Sequence, residues 1–180
     1  MNINYSNIIE FWFEECSPKD WFQKNDAFDQ MLKDRFASIH QAATAGDLFI
    51  WRDCPEGRLA EILILDQFSR NMFRDSAQSF AYDGMALVLA QEMVARGDDQ
   101  KLIQVQRTFT YMPYMHSESR IVHEEGMRLF ADNGEETNLR YMKAHKDIID
   151  QFGRYPHRNE ILGRTSTEAE IEFMKNHGGF

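Results

Sequence analysis

Wound at about 100° per residue, residues 59–74 are apolar on nearly every side. Leu59, Ile62, Leu63, Ile64, Leu65, Phe68, Met72 and Phe73 point all round that helix, so any fold of this chain has to surround it. Asp66, Arg70 and Arg74 nevertheless fall on one stripe of it, at i, i+4 and i+8. An unpaired charge buried there would cost several kcal/mol, so the stripe must pair, hydrogen-bond or line a wet cavity. The plain reading is an Asp66–Arg70 ion pair that locks neighbouring helices. The sharper one is a polar pocket inside the fold.

Stretches of the same period recur between turn signals at Ser17-Pro18, Ala45-Gly46-Asp47, 53–57, 97–99, Asp132-Asn133-Gly134 and 153–163. They predict helices over 4–15, 25–45 with Asn25 as N-cap, 57–73, 83–96, 101–111, 117–130 and 135–152. A last helix starts at Thr167, where Thr167 and Glu170 have the spacing of a capping box. No period-2 run of β-branched residues competes, so the expected class is all-α, built by packing helical hairpins. With 180 residues, the chain fits a single domain over 1–180.

Composition narrows the function classes. A 43% hydrophobic content with 14 Phe supplies a large core, and 27% charged residues is ordinary for a globular protein. The net charge of −9 gives no general attraction to nucleic acid or to an anionic membrane. Cys16 and Cys54 are the only cysteines and form no CxxC pair, which excludes a cysteine zinc site and gives no sign of a disulfide framework. Residues 1–13 lack the basic start and apolar run of a signal peptide. The longest strongly apolar run, 62–65, falls far short of the roughly 20 residues that span a bilayer. The cytoplasm is the expected location.

Other polar residues also contradict their surroundings. His145 projects from the apolar face that Tyr141, Ile148, Ile149 and Phe152 give to 135–152; its near-neutral pKa suits it to carry a proton. Glu118 and Glu125 share a face with Val122 and Leu129, so both carboxylates are expected to look inward, Glu118 toward Arg70 or Arg154. His116 follows Pro113 in a stretch, 111–118, that reads as a loop. The segment 152–164 packs Arg154, His157, Arg158, Asn159 and Arg164 between glycines and a proline. Arginine's planar donor fork matches a carboxylate or phosphate, and this loop brought near Arg70 and Arg74 would make an anion site.

The segments Phe11-Trp12-Phe13, Trp21-Phe22, Leu65-Asp66-Gln67-Phe68-Ser69-Arg70-Asn71, Arg74, Tyr111-Met112-Pro113, His116-Ser117-Glu118, 152–159 and 162–167 occur in one order over nearly the whole chain. In this the sequence resembles the bacterial domain of unknown function 924. The resemblance implies a tetratricopeptide-like fold, antiparallel helical hairpins stacked in a right-handed superhelix. It implies no activity.

No Walker loop, GxGxxG, GxSxG or HExxH occurs, and no spacing of histidines and carboxylates favours a metal. His116-x-Glu118 lacks the downstream Pro-Cys-x-x-Cys of a zinc deaminase. No cofactor is expected. Two functional readings remain. In the first, a pocket binds a small anionic metabolite, with Arg70, Asn71, Arg74, Arg154, His157, Arg158, Asn159 and Arg164 as binding residues. His116 or His145 then moves a proton, oriented by Glu118 or Asp66. In the second, the helices form an adaptor for a peptide or protein, the polar cluster is structural, and Trp12, Trp21, Phe22 or Phe180 supply contacts. The first is favoured because the arginines outnumber the internal carboxylates expected to meet them.

Overall fold

A computed structural model describes residues 4–177 and is all-α: among the described residues there is no strand. Helix α1 (Tyr5–Glu10) runs into a π-helical turn, Phe11–Glu15. Then come α2 (Pro18–Phe22) and the long α3 (Asp26–Ala45). Asn25 caps α3 as expected, its side-chain oxygen accepting from the Ala27 and Phe28 N–H groups at 3.1 and 3.2 Å.

The apolar stretch forms a three-part helix: α4 (Pro55–Leu63), a π-helical turn (Ile64–Phe68) and α5 (Ser69–Met72). Pro55 at the first turn of α4 gives up an N–H that no helix bond would use. Gly57 is required by a close approach, since a Cβ there would lie 2.0 Å from the Trp51 carbonyl oxygen. Leu59, Ile62, Leu63, Ile64, Leu65 and Phe68 are all fully buried, and α4 packs against α1 and against the two helices that follow. The central position read from its all-round apolarity is the one it occupies.

Those two helices are α6 (Asp83–Ala95) and α7 (Gln104–His116); α8 (Arg120–Asn133), α9 (Glu136–Phe152) and α10 (Glu168–His177) complete the chain. Short connections at Ser117–Ser119 and Gly134–Glu135 fold α7, α8 and α9 back on one another as antiparallel hairpins. This stacking is compatible with the tetratricopeptide-like arrangement implied by the resemblance. No helix among the described residues is long and apolar enough to cross a membrane.

Three expectations need correction. The segment 111–118 is not a loop: α7 continues through Pro113 to His116. Proline inside a helix costs about 3 kcal/mol, but Tyr111, Met112, Tyr114 and Met115 are buried on either side of it, and their packing holds the helix. Glu125 does not look inward; it pairs with Arg128 on the surface of α8, and the polar residues that α8 turns inward are His123, fully buried, and Asn133. Trp12 is fully buried and Trp21 half-buried, with the Trp21 indole N–H donating to the Trp12 carbonyl at 2.9 Å. Of the aromatics assigned to an adaptor surface, Phe22 is exposed at 60%, and Phe180 lies outside the described residues.

Candidate functional site

Asp66 sits inside the π-helical turn and is completely buried. Such turns insert an extra residue into a helix and are frequent at functional sites. Three groups meet its carboxylate. The guanidinium of Arg70, one turn on, lies 2.9 Å from Oδ1 and also donates to the Asp66 carbonyl at 3.0 Å. The His116 Nδ1–H donates to Oδ1 at 2.8 Å, and the Gln67 amide donates to Oδ2. Burial works to raise the Asp66 pKa, but the nearby Arg70 and His116 outweigh it and hold the carboxyl well below the usual carboxylate range.

His116 is the last residue of α7, so the unbroken helix places its ring against the middle of the central helix. Burial and the charge of Arg70 lower its pKa against the opposing pull of Asp66. A neutral imidazole that donates through Nδ1 keeps its basic lone pair on Nε2. His116 lines a cleft of about 320 Å³ together with Asp83, Ser117, Glu118, Arg158, Phe80 and the apolar Ala77, Ala81, Leu87 and Leu162.

The charged walls of the cleft are tied together. Arg70 grips Asp83, the first residue of α6, with two bonds of 2.9 Å. Arg158 reaches the same carboxylate at 3.3 Å and donates to the His116 carbonyl at 3.0 Å. Its guanidinium lies between the rings of Phe80 and Tyr155, 4.5 Å from each centroid. Its buried Nε finds no hydrogen-bond partner among the described residues. Burial and the neighbouring Arg70 pull its pKa below the ordinary guanidinium value. Glu118, in the α7–α8 connection, accepts two bonds from Arg164 at 2.6 and 2.9 Å and the Tyr155 backbone N–H at 2.8 Å. Burial would raise its pKa, but these donors keep it low.

The expected anion clamp is therefore divided. Asp66, Arg70, His116, Glu118, Arg158 and Arg164 come together. Arg74 and Asn71 instead hold the buried Asp29 carboxylate, at 2.6 and 3.0 Å, beside a separate cleft of about 260 Å³. Arg154 pairs with Glu170 of α10 at 2.6 and 2.8 Å. Asn159 is fully buried and links Arg164 to Ser166. His145 and His157 flank the buried Tyr155 with ring centroids 5.7 and 5.4 Å away, and His145 Nδ1–H donates to the Tyr141 carbonyl at 2.8 Å. The surplus of arginine charge is not found either, because each of these arginines has a carboxylate partner.

Asp83, Phe80 and Tyr155 also belong to the site without a signal in the sequence that singles them out. Asp83 reads as an ordinary acidic residue at a helix start, and nothing in the chain's periodicity aims it at Arg70. Among the described residues no group of three His, Cys, Asp or Glu side chains could hold a metal ion.

The family described as a bacterial protein of unknown function (DUF924) matches residues 8–178. A solved structure of a protein of unknown function from Agrobacterium tumefaciens, ATU0120, is 37% identical, with a TM-score of 0.90 over 95% of this chain and 96% of that one. No curated protein matches.

Proposed function

The chain belongs to this DUF924 family of bacterial proteins of unknown function, and from that premise we propose that the cleft beside Asp66 is an acid–base site for a small ligand carrying a carboxylate or phosphate. One observation carries the reading: the 2.8 Å bond between His116 Nδ1 and a fully buried carboxylate, at the wall of an open cleft. A carboxylate behind an imidazole fixes its tautomer and leaves Nε2 to take or give a proton. Arg158, with His116 and Glu118 beside it, is the cation placed to meet the ligand's anionic group. Whether the bound molecule is turned over depends on His116, so the reading makes His116 the proton carrier and Asp66 its positioning residue. The adaptor alternative draws less support, since Trp12 is buried and Trp21 half-buried.

The test is a thermal-shift screen of small carboxylates and phosphates on the full chain. Some of them should raise the melting temperature, and Arg158→Met should abolish that shift while the variant still melts cooperatively. A broad screen in which no compound moves the melting temperature would overturn the reading.

A further inference from the structure

If the cleft is a ligand site, as proposed above, its charges specify the ligand further. Asp83, Glu118 and Arg158 line it, and Arg70, Arg164 and Asp66 stand directly behind them. Three guanidinium groups face three carboxylates, so the assembly is neutral as a whole. A neutral site offers a purely anionic ligand little Coulombic gain to offset the cost of taking it out of water. It does offer opposite charges side by side. The Asp83 and Glu118 side chains retain 18% and 26% exposure, and a carboxylate has about four acceptor positions, so each can take one more donor. Arg158 is bound to Asp83 only at the long distance of 3.3 Å, because Asp83 gives both oxygens to Arg70. Beside His116 and Ser117, the wall has an apolar part formed by Ala77, Ala81, Leu87 and Leu162. At about 320 Å³ the space lies at the small end of ligand pockets, which run from about 300 to 1,000 Å³.

We infer that the ligand is a zwitterion of the amino-acid type with an apolar side chain. Its carboxylate meets Arg158, its ammonium lies against Asp83 and Glu118, and its side chain rests on Leu87 and Leu162. An ammonium so placed is also within the surroundings of His116, the group that moves the proton.

The experiment titrates the full chain near neutral pH with leucine, with isocaproate, which lacks the ammonium, and with isoamylamine, which lacks the carboxylate. Calorimetry gives the affinities, and the His116 imidazole NMR signals report whether the cleft is the place of binding. Leucine should bind at least about tenfold more tightly than either half-molecule and should shift the His116 signals. Asp83→Asn should weaken leucine and strengthen isocaproate, opposite signs that a general loss of folding cannot produce; Glu118→Gln serves in its place if Asp83→Asn does not fold. Isocaproate binding as tightly as leucine would overturn the zwitterion while leaving an anion site in the cleft. Absence of binding by leucine, methionine and phenylalanine would overturn it too, and the carboxylate and phosphate screen then decides separately whether the cleft binds anions.

Discussion

Asp66 shows what one residue contributes at this site. Completely buried, it is kept ionised by Arg70 and His116 and in return fixes the position of both. Its companion Arg70 serves two carboxylates at once, Asp66 and Asp83. Truncating Arg70 to alanine leaves the buried Asp66 with only His116 and Gln67, and Asp83 with only the long bond from Arg158. Stability measured by denaturant unfolding should fall by about 3–5 kcal/mol, the cost of breaking a buried pair. Arg70→Lys should recover only part of the loss, because an ammonium cannot reproduce the two-pronged grip on Asp83 together with the bond to Asp66. An Arg70→Ala variant as stable as the parent would show that the network contributes nothing to the fold. Arg158 is a different case: its unpartnered Nε costs hydrogen-bond energy, and the flanking Phe80 and Tyr155 rings offset part of that cost.

At the scale of elements, the site depends on how helices begin, end and depart from ideal geometry. The central helix changes pitch at Ile64–Phe68, a feature invisible to a reading that assumes one period throughout, although the Asp66–Arg70 pair survives it. α10 is attached by its first turn. Glu170 closes the Thr167 capping box and also receives two bonds from Arg154. Thr167→Ala removes one cap and should cost about 1 kcal/mol. Glu170→Ala removes the reciprocal cap and leaves Arg154 without its carboxylate, and should cost more than Thr167→Ala. Amide hydrogen exchange along 168–177 reads the difference; equal protection in the two variants would mean that Arg154 does not anchor the helix.

Over the whole molecule, four further histidines among the described residues are, like His116, kept neutral by burial. His123, His145 and His157 surround Tyr155, whose hydroxyl donates to the Met115 carbonyl, and His40 lies on α3 beside Ser69. Burial lowers all four, His157 to about 4 and His145 to about 3 against an ordinary 6.5. Below 6.5 the unfolded chain takes up protons that the folded chain refuses, so stability is full above that value and falls as the pH drops toward 4. Unfolding midpoints measured across this window should decline steadily, and His145→Gln should make the decline shallower. A flat profile would refute the assignment of these rings as neutral and buried. The helical class, the central burial of 59–74, the Asn25 and Thr167 caps and the Asp66–Arg70 pair are legible along the chain, because each rests on periodicity or on contacts within a few residues. Which arginine meets which carboxylate is set by how the helices pack. Packing sends Arg74 to Asp29 and Arg154 to Glu170, gives Arg164 to Glu118, and brings Asp83 to Arg70 and Arg158. Those pairings join residues of different helices, and local spacing carries no information about the distance between two helices until they pack.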